Sequence, residues 1–141
     1  MSREELAANG RFSHQPSRHR INQSTEYVVD VDRRLVVVRF AKKVTVSDIE
    51  RYTNLLRANP EFQPTFSEIA DMSEAVELDL QADEFLKLAD EIDPFSPEAK
   101  RAFVAKTSVQ HHAARMHKAL RTLRNIEIFS SFEDAERWIL R

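Results

Sequence analysis

Of the 141 residues only one is glycine, Gly10, close to the start of the chain. From Tyr27 onward no glycine lets the backbone come up against a phosphate. A dinucleotide fingerprint, a P-loop and a G-x-S-x-G nucleophile elbow are therefore excluded. Cysteine is absent as well, which removes disulfides, thiol catalysis and thiolate metal sites. The length suits one domain, and 42% hydrophobic residues are enough for one core. The net charge of −2 does not suit a generic binder of nucleic acid. No apolar run approaches the roughly 18 residues of a membrane span. The opening "MSREELAANGRF" lacks the apolar centre of a secretory signal. The expectation is a soluble cytoplasmic protein without stable membrane insertion.

Residues 1–24 are polar and read as a flexible tail, leaving 25–141 as a single domain. "EYVVDV" (26–31) and "RLVVVRFA" (34–41) are rich in β-branched residues and close enough to form a hairpin. Leu35 to Val38 is an unbroken apolar run, which suits a central strand covered on both faces. "TVSDIERYTNLLRANP" reads as a helix. Ser47 with Glu50 supplies a capping box, and Thr45 with Asp48 a competing register. "TFSEIAD" (65–71) predicts a third strand and "ADEFLKLADEI" (82–92) a second helix. "RAFVAKT" (101–107) predicts the fourth strand. The helix after it, 108–123, has Ser108 as cap and Val109, Ala113, Met116 and Leu120 as buried stripe. "IEIFS" (126–130) is the fifth strand. A last helix begins at Ser131, with Phe132, Ala135, Trp138 and Ile139 on its apolar face. The order β-β-α-β-α-β-α-β-α predicts an α/β fold: a mixed, mostly parallel five-stranded sheet with four helices, the first strand antiparallel to the second.

The hairpin "EYVVDVDRRLVVVRFA", the helix onset "VTVSDIERY" and the ending "IEIFSSFEDAERWIL" give residues 26–141 a resemblance to the STAS domain of sporulation anti-sigma-factor antagonists. Within that group the chain is most similar to the uncharacterised bacterial SpoIIAA-like branch, related to Sec14-type (CRAL-TRIO) domains. The resemblance implies a STAS-like fold and a regulatory, protein-interaction role without catalysis or cofactor. Phosphorylated members carry a serine in a D-S-[ST]-G turn. Here the matching stretch is Asp71-Met72-Ser73-Glu74, with glutamate where the glycine stands. A phosphate on Ser73 meets Glu74 and Glu77, so phosphorylation is not expected and turn chemistry is.

His111, His112 and His117 are one, five and six residues apart, not the three or four of helical metal ligands, so no metal site is expected. His111 and His112, with Ser108, stand near a helix start and so near the strand-end crevice, where open α/β sheets bind ligands. Charge is segregated. Glu68 to Asp93 holds ten acids and one base, while Lys100 to Arg124 holds seven bases and no acid. Opposite fields suit docking of a partner or self-association as a homodimer. The basic helix lacks aromatic residues between Phe103 and Phe129, which argues against nucleic acid. The leading expectation is a non-enzymatic interaction domain with Asp71, Met72 and Ser73 at its rim. The alternative is a binder of a small anionic or lipid-like ligand, held at helix N-termini such as those at Ser47, Ser108 and Ser131.

Overall fold

A computed structural model describes residues 16–79, 93–120 and 125–141. Its elements are β1 (Ser17–Arg20), β2 (Glu26–Asp30), β3 (Leu35–Thr45), α1 (Val46–Ala58), β4 (Ser67–Asp79), β5 (Lys100–Val104), α2 (Ser108–Ala119), β6 (Asn125–Phe129) and α3 (Phe132–Leu140). They build one six-stranded sheet in the order β1-β2-β3-β4-β5-β6. β1, β2 and β3 pair antiparallel, and β3 through β6 pair parallel. The α/β class, the mixed sheet and the antiparallel first hairpin agree with the sequence. The strand count does not. The helix expected at 82–92 lies outside the described residues, which hold three helices.

The additional strand is β1, taken from what the sequence offers as tail. Its polarity hides it, because an edge strand exposes one flank and carries charges there. Arg18 pairs with Glu26 at 3.0 Å, and the His19 ring stacks on Tyr27 at 4.8 Å. Ile21, just beyond the strand, is buried in the core. Asn22 Oδ1 then accepts from the backbone N–H groups of Ser24 and Thr25, both at 2.8 Å, and closes the turn into β2. The next turn contains Arg34 at φ 52, a left-handed backbone without glycine. Its side chain secures that strained position by donating to Thr65 Oγ1 at 2.7 Å and lying over Phe66.

Strand alternation puts Val36 and Val38 on one face and Leu35 and Val37 on the other. The first face packs against α1 and α2 through Tyr52, Leu56 and Ala114. The second packs against α3 through Ala135 and Ile139, with Phe132 and Trp138 beside them. Helices on both faces are what a fully apolar central strand requires.

β4 runs on to Asp79, well past the expected end at Asp71. Its pairing with β3 shifts between Arg39 and Ala41 and again between Lys42 and Lys43. At each shift β4 contributes one extra residue, so the strand is bulged twice. The extra residues move the core-facing positions to Ala70, Met72, Ala75 and Leu78. That spacing of two, three and three breaks the period that marks a strand in sequence. Lys42 takes φ 61 beside the second bulge.

Two helix registers also differ from expectation. α1 is capped by the competing box: Thr45 Oγ1 accepts from Asp48 N, and Asp48 Oδ2 accepts from Thr45 N at 3.0 Å. Asp48 further accepts from Asn22 Nδ2 at 3.1 Å, which ties the helix start to the β1–β2 turn. α2 is capped by Thr107, not Ser108. Its buried positions are Gln110 and Ala114, and Val109 is exposed. Gln110 turns the helix. Its Oε1 accepts from Lys106 N at 2.7 Å and Thr107 N at 3.1 Å, while its Nε2 donates to Ala75 O at 2.8 Å. The buried Ala75 carbonyl and the two part-buried N–H groups need such partners, and burying Val109 in place of Gln110 leaves them without Gln110's bonds. Gln110→Leu, similar in volume, is expected to cost about 2–4 kcal/mol through the orphaned groups. Urea titration should show a lower midpoint at an unchanged slope.

Candidate functional site

The face under α1 and α2 carries an ion network at positions where the strand pattern asks for apolar residues. Glu68 on β4 and Arg101 on β5 are register partners across the parallel pair. They are only 2% and 5% exposed. Arg101 Nε donates to Glu68 Oε1 at 2.9 Å, and Nη1 donates to Asp93 Oδ2 at 2.7 Å. From α1, the Tyr52 hydroxyl donates to Glu68 Oε2 at 2.6 Å. The guanidinium also lies over the Phe95 ring, 4.4 Å from its centroid. One cation thus joins two strands and the 93–95 segment, and Glu68 extends the network to α1. Burial by itself lowers the pKa of Arg101, but the charges of Glu68 and Asp93 and their hydrogen bonds more than reverse this, so it stays charged. Burial, then the Glu68 charge and hydrogen bond, hold the Tyr52 phenol well above its ordinary pKa.

Above this network lies a cavity of about 80 Å³. Glu68, Arg101, Asp93 and Tyr52 form its polar part. Its apolar walls include Phe40 and Met72 from the strands, Phe95 and Phe103, and Ala113 from α2. His117 also lines it, set edge-on to Phe103 at 4.9 Å. Strand alternation explains the assembly: Glu68, Ala70 and Met72 share one face of β4, and Arg101 and Phe103 share the matching face of β5.

A second, polar cavity of about 160 Å³ is lined by Arg39, Phe40, Asp71, Ser73 and Glu74. It sits at the first bulge of β4. Asp71 Oδ1 accepts from Ser73 N at 2.9 Å, so the expected local bond is present, but inside a bulged strand and not at a strand-to-helix turn. Arg39 Nε stands 3.9 Å from Asp71 Oδ2, and its guanidinium covers the Phe132 ring.

The six candidate residues are therefore divided. Asp71 and Ser73 share the polar cavity, while Met72, one residue along the strand, lines the apolar one. Ser108 and His112 are exposed and His111 is half-buried, and neither cavity includes them in its lining. Among the described residues no three histidine or acidic side chains gather as metal ligands. Sequence reasoning missed Tyr52, Glu68, Asp93 and Arg101, and weighed His117 only as a metal ligand. A signal existed: Glu68 and Arg101 each interrupt an apolar strand, one acid and one base, and paired charges are the rule for buried ions.

No protein-family model and no curated protein matches the sequence. The structure matches that of an uncharacterised protein of the DUF3478 family from Shewanella loihica PV-4, described as having a SpoIIAA-like fold. The two share 21% identity over 91% of this chain and 98% of that one, with a TM-score of 0.52. The chain has a SpoIIAA-like fold. The strand at Ser17–Arg20 forms one edge of this chain's six-stranded sheet, which holds the Glu68–Arg101 pair between β4 and β5. No described helix is long and apolar enough to cross a membrane.

Removing one member of a buried ionic cluster strands the others. Arg101→Met is expected to cost about 3–5 kcal/mol, and Tyr52→Phe about 1–2 kcal/mol, by chemical denaturation at pH 7. Because the folded pKa of Tyr52 is raised, its stabilising share is complete below the unfolded value of 10.0 and is lost as pH rises above it. Tyr52→Phe should accordingly flatten the alkaline limb of a stability–pH curve above pH 10.

Proposed function

We propose that the chain is a non-enzymatic binding domain of SpoIIAA-like fold, and that the cleft between α1, α2 and the sheet is where it holds a small molecule. The cavity over the Tyr52–Glu68–Arg101–Asp93 network carries this reading. Ligand sites combine apolar walls with a few convergent polar groups, and that is the composition here. The charged groups at the floor are engaged with one another, which suits shaping and selecting over proton transfer. A volume of about 80 Å³ fits a compact group of a few non-hydrogen atoms, with the rest of a larger molecule outside. This favours a compact ligand over the lipid-like one that the Sec14-type kinship suggests.

The reading is tested with xenon, which fills apolar cavities without needing polar partners. Under xenon pressure, the NMR signals of Met72, Phe103 and Ala114 should shift with saturation, and Ala113→Phe, which adds bulk to a lining position, should abolish the effect. Shifts spread over the whole surface, or none, would overturn it.

A second reading, a homodimer, is favoured by a separate observation. Val76 is 80% exposed and Val109 is 59% exposed. The bond from Gln110 to Ala75 brings their two elements side by side. Acids Glu74 and Glu77 flank Val76, and Lys106 and His112 stand near Val109, so a second copy turned about a two-fold axis can place acid against base. Light scattering should then give a mass near twice 16.4 kDa at low salt, falling toward the monomer in Val76→Glu. A monomer at millimolar concentration would remove this reading.

A further inference from the structure

The polar cavity at the first bulge of β4 is a different space from the cleft above Arg101. Arg39 and Asp71 are register partners on β3 and β4. Strand alternation turns both away from the side of Phe40 and Met72, which pack in the core under α1 and α2. The Arg39 guanidinium lies on the α3 side, 5.1 Å from the centroid of Phe132. Phe40 stands between the two spaces and lines both. By the volume one water needs, about 160 Å³ holds roughly ten waters, so the cavity admits a small molecule.

Groups of both signs line it with hydrogen-bonding capacity to spare. The Asp71 side chain is only 13% exposed. Its Oδ1 accepts from Ser73 N at 2.9 Å, but Oδ2 stands 3.9 Å from Arg39 Nε, beyond hydrogen-bond reach. Among the described residues, the Arg39 guanidinium donates no hydrogen bond, and the Glu74 carboxylate and Ser73 hydroxyl have no partner. Hydrogen bonds to ionised groups are the strong ones. The Phe132 ring beneath Arg39 holds its planar fork in place, so less freedom is lost when those bonds form.

A simple anion at Arg39 is set beside the carboxylates of Asp71 and Glu74. A simple cation at those carboxylates is set beside the guanidinium. Each meets repulsion together with attraction. A molecule with both charges on one carbon answers both signs at once. We infer that this cavity binds the ammonium–carboxylate head of a free α-amino acid. The ligand's carboxylate accepts from the Arg39 guanidinium, and its ammonium donates to Asp71 Oδ2 and to Glu74. The 3.9 Å between Arg39 and Asp71 puts donor and acceptor side by side, as two charges on one carbon require. This site is separate from the ligand-binding cleft and does not depend on that reading.

Glycine, acetate and methylammonium test it, the last two being glycine without its ammonium or without its carboxylate. Each is titrated into the full chain at pH 7 and low salt, and followed by the backbone NMR signals of Arg39, Asp71, Ser73 and Glu74. Glycine should bind in the millimolar range, roughly tenfold more tightly than either fragment. Glu74→Gln exchanges an exposed carboxylate for an amide of the same shape, and should weaken glycine several-fold while leaving acetate no weaker. Arg39→Met keeps apolar contact with Phe132 and should reduce glycine to the level of methylammonium. Thermal unfolding checks that each variant is folded, and the three-probe comparison on the unaltered chain decides even where one is not. Acetate or methylammonium binding as tightly as glycine overturns the inference. So does a glycine response that is absent, that spreads evenly over the surface, or that both folded variants leave unchanged.

Discussion

Arg101 is the charge on which several separate segments of the structure converge. Its guanidinium is buried with Glu68, its partner across the strands, with Asp93 and against Phe95. β4, β5 and the 93–95 segment are thereby drawn to one charge, and Tyr52 brings α1 to the same carboxylate. An apolar set of similar volume packs as well or better, since a buried ion pair gains little over hydrophobic residues. What the ions add is direction. Hydrogen bonds at 2.6–2.9 Å admit one register of β4 against β5 and one rotation of α1, whereas apolar contacts tolerate several. The cleft inherits its floor from this arrangement, so shape and binding chemistry share a cause.

The bulged β4 is the other organising feature. Each inserted residue reverses the parity of the strand beyond it. Two insertions keep Ala75 and Leu78 on the same face as Ala70 and Met72. They bring the Ala75 carbonyl to Gln110 and thereby set the rotation of α2. They also open the polar cavity at Asp71 and Ser73, so that neighbouring residues on one strand serve different spaces. A serine that resembles a phosphorylation site by its neighbours in sequence is, in three dimensions, part of a bulge held by its own aspartate.

Legibility followed the strength of the local signal. The hairpin β2–β3, the parallel strand β5, the terminal helix with Phe132, Ala135 and Ile139 buried or nearly so, and the α/β class were readable because hydrophobic period and caps agreed there. β1 was not, since an edge strand needs only one covered flank and Arg18, His19 and Arg20 look like tail. The face of α2 was misjudged because a buried glutamine does not enter a hydrophobic stripe, although its three hydrogen bonds outweigh the burial of Val109. The candidate site was read even less well. Turn serines and helix-start histidines are the candidates visible in sequence, while Glu68 and Arg101 read there as strand, Tyr52 as helix face and Asp93 as loop.

By itself, the chain's chemistry determined the secondary elements of most of its length, the mixed sheet, and the exclusion of glycine-dependent phosphate sites and of thiol chemistry. Those follow from side-chain periodicity and from atoms a sequence either has or lacks. Tertiary structure alone decided that Glu68 faces Arg101, that Asp93 reaches the same guanidinium, and that four aromatic rings surround the space above them. These residues lie up to 63 positions apart, from Phe40 through Asp93 to Phe103. Their charges and rings become one environment only when strand register and helix rotation bring them within hydrogen-bonding reach, and no local pattern encodes that distance.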